Sequence, residues 1–414
     1  MKPNCQLGAY YAEKAVTALL FAVIFFIALH SFFYMYGYDT YYVSDWMVNY
    51  QGGFVRRGLI GELLLALEKI KPYNIINAIL IIDVIFYTLF FVIIFKIFRK
   101  YKWSLLAAMF PVACLTQSMC VYRRDFMMLC LCALTFHIFF KYMKERKKIF
   151  LTASVTIMSL SIIIYEPVFF VLVPVLILQY WYSCGKNKTL NTILTFSIPL
   201  ACMALMCIFR GNAAQGDAIW QSWMPYITQY GYDPSIGKGM AVEFMELSNM
   251  EVFKMHIGIN FLEKTLPLSI ITLMIVFSAV FFLCTHIPQI DNKTVSCNIY
   301  KDTLSAILIF QMLVQLPLFT VLSCDYGRTI PMSIYTSFFL FHFSRQNGIR
   351  LNLTHFIEKP AAKTIAFFNR HSLFSNPYFY MAAVLLLPFQ LYTPSLWQDN
   401  IIMHLYDKVA KYVF

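Results

Sequence analysis

The chain has 414 residues, 60% of them hydrophobic, 18% aromatic and only 13% charged, with a net charge of +12. Its apolar runs repeatedly reach the roughly 20 residues that cross about 30 Å of hydrocarbon, which excludes a soluble globular domain. The basic excess is spread over short loops, with no basic face carrying stacking platforms. It therefore excludes a nucleic-acid partner and reads as the positive-inside signal of a polytopic membrane protein.

Taken in chain order, the N-terminus carries Lys2 and Lys14 and is placed inside. The first apolar run, 15–36, lacks an Ala-x-Ala cleavage pattern and reads as a retained helix rather than a signal peptide. It leads into an outer loop, 37–73. There Asp39, Asp45, Gly52, Gly53, Arg56, Arg57 and Glu62 stand among Tyr41, Tyr42, Trp46 and Tyr50. Two carboxylates can supply a general base, and paired guanidiniums can hold a phosphate or pyrophosphate by two-point contacts. Gly52-Gly53 permits a sharp turn or the close approach of a ligand. Over Phe54–Ile70, Leu59, Ile60, Leu63, Leu64 and Leu67 recur at helical spacing. Arg57, Gly58, Gly61, Glu62, Glu68 and Lys69 fall opposite, and Leu65 is the exception. That pattern predicts an amphipathic helix in the membrane interface. A structural re-entry helix with a buried Arg–Glu pair is the plainer alternative.

Span 2, 75–98, returns to Lys96, Arg99, Lys100 and Lys102. Span 3, 103–119, reaches the outer turn Tyr122-Arg123-Arg124-Asp125, and span 4 comes back to Lys141, Lys144, Arg146, Lys147 and Lys148. Spans 5 and 6 form a hairpin with Tyr165-Glu166-Pro167 at its outer tip. Span 7, 190–209, opens into a large outer loop, 210–264, which begins at Arg210. That loop carries Trp220, Trp223, Tyr226, Tyr230 and Tyr232 among Asp217, Asp233, Glu243, Glu246 and Glu251, while His256 reads as a solvated histidine. Aromatic faces among acids suit sugar rings, and Trp and Tyr serve equally as interfacial anchors. Spans 8 and 9, 265–286 and 303–322, lead to a third outer turn with Asp325 and Arg328; span 10 delivers a basic inner loop, 344–376, and span 11 covers 377–392. The expected fold is all-α: a single transmembrane domain over 1–414 with about eleven spans, N-terminus inside and C-terminus outside. The sequons at Asn187, Asn292 and Asn352 then lie inside and are not glycan acceptors. Eleven cysteines imply neither a disulfide framework nor a metal site, and Cys130-Leu-Cys132 reads as packing within a span.

The expensive polar residues fall on the face opposite the basic loops: Asp39, Asp45, Arg56, Arg57, Glu62, Arg123, Arg124, Asp125, Glu166, Arg210, Asp325 and Arg328. Charges at such depth need pairing or a water-filled cavity. Locally, Arg123-Arg124-Asp125 reads as a salt-bridged turn and Asp325 as a partner of Arg328, whereas Glu166 has no nearby partner. Asp83, inside span 2, reads as an interhelical hydrogen-bonding group. An outward cavity of arginines and carboxylates suits an amphiphile with a phosphate, such as a polyprenyl-phosphate sugar. Arginines stabilise charge on a departing phosphate, and a carboxylate takes the proton of an acceptor hydroxyl.

This arrangement resembles the GT-C superfamily of polytopic glycosyltransferases. The resemblance implies a catalytic Asp in the first outer loop, an interfacial helix after it, and lipid-linked donors. Asp39 and Asp45 occupy that region, with Phe54–Ile70 as the helix. The phrase Ser-Asp-Trp-x-x-Asn-Tyr-x-Gly-Gly-Phe-Val-Arg-Arg-Gly-Leu also resembles membrane proteins of bacterial surface-polysaccharide assembly. Span number and one large outer loop resemble O-antigen polymerases, which rely on arginines in late outer loops; Arg210 is the candidate here. The expected activity is glycosyl transfer to a glycan acceptor at the outer face of a bacterial inner membrane. Asp45 is the first choice of base and Asp39 the second. Arg56, Arg57 and Arg328 hold phosphate; Glu166 and Asp325 orient the acceptor or a divalent metal ion. A lipid-linked-glycan flippase and a non-catalytic scaffold are the rivals. A flippase would need polar groups through the membrane depth.

Overall fold

In hydrocarbon a helix satisfies every backbone N–H and C=O within its own segment, and every regular element among the described residues is helical. The computed structural model describes residues 3–35, 40–109, 124–185, 187–228, 238, 240–259, 276–284, 298–320, 322, 326–353, 355–371 and 376–386. The helices are α1 (Pro3–Met35), α2 (Thr40–Met47), α3 (Gly58–Ile70), α4 (Ile75–Tyr101), α5 (Asp125–Glu145), α6 (Lys148–Ile164), α7 (Val168–Ser183) and α8 (Lys188–Ile208). After them come α9 (Ala213–Thr228), α10 (Met240–Glu243), α11 (Asn249–Ile257), α12 (Asn298–Val314), α13 (Leu316–Thr320), α14 (Tyr326–Gln346), α15 (His355–Arg370) and α16 (Pro377–Leu386). Four stretches (Leu7–Phe25 within α1, and all of α4, α5 and α8) are long and apolar enough to cross a membrane, and α6, α7 and Leu304–Val314 are shorter apolar helices. This is the architecture of an integral membrane protein.

The helix ends sort into two levels. α5, α6, α7 and α8 alternate in direction through short links, and Arg146 and Asn187 take left-handed conformations (φ 58 and 55) where the chain reverses. The starts of α5 and α14 are tied by the Arg328–Asp125 pair. The end of α8 is tied to the first loop by a 2.6 Å bond from Arg56 N to the Phe209 carbonyl. At the other level, Trp103 packs on Phe338 and Phe341. Lys100, Lys144, Lys147, Lys148, Lys188 and Arg345 all fall at that second level, where α4, α5 and α14 end and α6 and α8 begin. Between the levels α14 is buried almost throughout. Its hydroxyls at Thr336 and Ser337 donate to carbonyls of their own preceding turn, so they add no unmet polar group.

Three expectations change. The interfacial helix starts at Gly58 rather than Phe54, because Arg57 stands left-handed (φ 63) at its N-cap. Its buried line is Gly58, Gly61, Leu64, Leu65 and Glu68, which accounts for Leu65; Leu63, Leu67 and Ile70 (80% exposed) point away from the protein. The run expected as one span over 303–322 is broken: α12 ends at Val314 and α13 restarts beside Pro317, whose missing N–H cannot continue the ladder. The basic segment 344–376, expected as a loop, contains α15. Its Ile357 and Ala361 are buried, and its Lys359, Lys363 and Arg370 are exposed on the opposite face.

Candidate functional site

The first loop is a close-packed plug held by its glycines. A Cβ on Gly61 would collide with the Val48 carbonyl and lie 2.8 Å from that of Trp46, and one on Gly58 would enter the Tyr50 ring. Gly53 (φ 106) closes the turn, its N–H donating to the Tyr50 carbonyl at 2.9 Å. At Gly52 a Cβ would lie 2.9 Å from Gln215 Cα, so this glycine admits α9 rather than a ligand. The Trp223 indole donates to the Met47 carbonyl at 2.6 Å, and the Asn49 amide to Ser222 at 2.8 Å. Trp220 and Trp223 are buried in this contact, so they serve packing and not an open sugar platform. Asp217 and Glu246 pair with Lys238, and Glu251 completes a capping box with Ser248.

Beneath the plug, charged side chains from four places in the chain meet. Arg57 reaches Glu166 with a two-point fork, Nε at 2.8 Å and Nη2 at 2.6 Å. It also lies 3.6 Å from Asp45. On the other side of Asp45 stands the Arg124 Nε, at 3.5 Å. Arg124 is 1% exposed, and its Nη1 donates to the carbonyls of Arg57 and Ile164, both at 3.0 Å. Arg328 holds Asp125 through Nε and Nη2, at 3.0 and 2.8 Å. The Tyr165 ring separates the two forks, with Arg57 4.8 Å and Arg328 5.4 Å from its centroid. Arg56 approaches Glu166 at 3.4 Å and keeps 34% of its side chain exposed.

Burial alone would push the Glu166 carboxyl up, but the Arg57 and Arg56 charges and the fork outweigh it and hold it at about 2. The Arg57 guanidinium is raised against its own burial by Glu166 and Asp45. Burial lowers Arg56 first, and the neighbouring positive charges of Arg57 and Arg210 add to it while Glu166 opposes. Arg210, half-buried at the start of the large loop, also lies within electrostatic range of Glu251.

Of the residues singled out by sequence, Asp45, Arg56, Arg57, Arg124, Asp125, Glu166 and Arg328 come together, and Arg210 stands within range of Arg56. Glu62 does not join them. It accepts from Tyr50 N and the Gln51 amide and holds the plug's turn. Asp39, Arg123 and Asp325 lie outside the described residues, as do Tyr230, Tyr232 and Asp233. Glu166 finds its partner 109 residues away in sequence, and Arg328 takes the carboxylate of another helix. Among the described residues no three His, Cys, Asp or Glu side chains stand together as a metal set. Asp83, expected as an interhelical hydrogen-bonding group, makes no side-chain hydrogen bond among the described residues. It belongs to this neighbourhood: Asp125, Asp45 and Arg124 are the charges that act on it. Comparison with protein families, with curated proteins and with solved structures finds no match.

Proposed function

We propose that the protein transfers a sugar or glycan from a polyprenyl-phosphate- or pyrophosphate-linked donor to a hydroxyl acceptor, building surface polysaccharide at the outer face of a bacterial inner membrane. The reading takes the level of Lys100, Lys144 and Arg345 as the inner one by the positive-inside rule, in a chain of about eleven spans. One observation carries it. Arg56 and Arg210, two guanidiniums within electrostatic range of each other, sit beside a buried carboxylate cluster, with Arg56 still in reach of the outside. Like charges so placed are relieved by a bound anion. Arg57 and Arg328 are held in two-point forks by Glu166 and Asp125. Arg56 instead meets Glu166 through one longer contact at 3.4 Å and keeps 34% of its side chain exposed. The phosphate role therefore passes to Arg56, with Arg210 as the neighbouring charge.

In this chemistry the acceptor oxygen bonds to the donor's anomeric carbon as the bond from that carbon to the phosphate oxygen breaks. The electron pair leaves with the phosphate, where Arg56 and Arg210 stabilise it, and Asp45 takes the acceptor's proton. A flippase is the second reading, favoured by a buried polar ladder. There the Gln315 amide donates to Gln311 at 3.1 Å and Ser333 donates to Gln315 at 2.7 Å.

The test uses purified full-length protein in nanodiscs, with undecaprenyl phosphate and undecaprenol as probes read by native mass spectrometry. Undecaprenyl phosphate should bind at least about 10-fold tighter, and Arg56→Ala should remove the difference. Equal binding of the two lipids would overturn the phosphate reading. Movement of the phosphate lipid across a vesicle bilayer without any sugar transfer would favour the flippase.

A further inference from the structure

Asp83 is the ninth residue of α4, about 12 Å along the helix from Ile75 at 1.5 Å per residue. It lies on the buried stripe of that helix with Ile76, Ile79, Leu80 and Phe90, and only 1% of it is exposed. The next turns fix its depth. Tyr87 and Phe90 pack edge-on or tilted against Phe126, with centroids 4.8 and 5.3 Å apart, and the Cys130 thiol donates to the Phe86 carbonyl. Asp83 therefore stands one turn further out, level with Arg124 and Asp125. Both its carboxylate oxygens are without a hydrogen-bond partner among the described residues, and so is the Arg124 Nη2.

We infer that Asp83 and Arg124 form a buried subsite for a neutral hydroxyl-bearing group, bound beside Asp45. A carboxyl oxygen accepts and a guanidinium only donates, so a hydroxyl, which does both, satisfies the two together. The surrounding charges exclude the other candidates. An anion would meet Arg124 but be repelled by the neighbouring charges of Asp45 and Asp125. A cation would be repelled by Arg124, and no three-ligand set is present among the described residues. Packing gives no reason to keep two unmet polar groups here, since an apolar residue fills such a stripe position at lower cost. Water and a sugar ring share the required chemistry. Resting on the glycosyl-transfer reading, the subsite's ligand is the hydroxyl face of the transferred sugar.

The experiment compares, in nanodiscs, undecaprenyl diphosphate with the same lipid carrying N-acetylglucosamine, galactose or N-acetylgalactosamine. At least one sugar-bearing lipid should bind about 10-fold or more tighter than the bare diphosphate. Asp83→Asn should weaken that increment and Asp83→Leu abolish it, both leaving bare diphosphate binding unchanged. The melting temperature of Asp83→Leu should hold or rise. A sugar increment that survives Asp83→Leu, or no increment with any of the three sugars, means the groups take water alone and overturns the subsite while the phosphate reading stands. A fall in melting temperature for Asp83→Leu would make Asp83 a structural residue and overturn it as well. Failure of the bare diphosphate to bind would overturn both readings.

Discussion

Arg57 and Glu166 are 109 residues apart in sequence and meet in a two-point fork at 2.8 and 2.6 Å, which fastens the first loop to the tip of the α6–α7 hairpin. A buried pair of this kind costs more to break than it contributes. Glu166→Gln or Arg57→Ala leaves one buried charge unmatched and should lower stability by roughly 3–5 kcal/mol. Arg57→Lys should fail to restore it, because an ammonium cannot reproduce the planar fork. Thermal unfolding in detergent checks this, and the double variant Arg57→Ala/Glu166→Gln should lose less than the two single losses combined.

The same fork sets an acid limit. Glu166 is held at about 2 against 4.5 for the free side chain, so its folded value is depressed. Its contribution is complete above about pH 5 and is lost as pH falls from there through 2; the full shift corresponds to about 3 kcal/mol. Melting temperature measured from pH 6 to pH 3 should fall steeply in the wild type. It should fall less in Glu166→Gln, in which this group no longer titrates.

Orientation is tested by labelling a cysteine-depleted background with a membrane-impermeant maleimide. Gln221, exposed on α9, and Lys144, exposed at the end of α5, lie at the two levels. Gln221→Cys should label in intact cells and Lys144→Cys only after permeabilisation. The reverse pattern would turn the acid–arginine cluster to the cytoplasm and remove the outer-face reaction.

The glycines of the first loop make a fourth case. Gly61 packs against backbone on two sides, where neither carbonyl can swing away as a side chain would. Gly61→Ala should destabilise by roughly 1–3 kcal/mol through overpacking and loosen the seat of Asp45. Gly185, with open space around it, is the matched control, and Gly185→Ala should leave the melting temperature unchanged.

Much of this was legible in sequence, because apolar length and loop charge are local signals. The hairpin tip at Tyr165-Glu166-Pro167 and the helices on either side follow from them directly. The convergence of acids and arginines was legible too, as a list of charges too deep to stand alone. Their partners were not. Glu166 with Arg57 and Asp125 with Arg328 join residues more than a hundred positions apart, and nothing local marks such a pairing. Gly52 and Gly53 suggested room for a ligand and instead admit α9, since a glycine shows where the backbone comes close and not what approaches it. Asp83 carried a signal, an acid on the buried stripe of an apolar helix. Placing it beside Arg124 required the packing of α4 on Phe126.

Asp45 is the sharpest test of the reaction. It lies between Arg57 and Arg124, at 3.6 and 3.5 Å, in a plug whose backbone is set by Gly58 and Gly61. Asp45→Asn keeps its size and removes the proton acceptor. The fold should survive, because Arg57 retains its fork with Glu166 and Arg124 its bonds to two carbonyls. The buried Arg124 loses the charge of Asp45, so stability should fall. Transfer per folded protein should fall by about 10²- to 10⁴-fold, the usual cost of losing a general base, while the melting temperature falls and membrane level stays near that of the wild type. Asp39→Asn, nearer the end of the first span, should do less. Surface-polysaccharide production and protein level are measured in the same membranes. If Asp45→Asn is silent and Asp39→Asn is dead, the base moves to Asp39 and the transferase reading stands. If both are silent at normal protein level, proton removal does not run through this loop, and the glycosyl-transfer mechanism built on it falls.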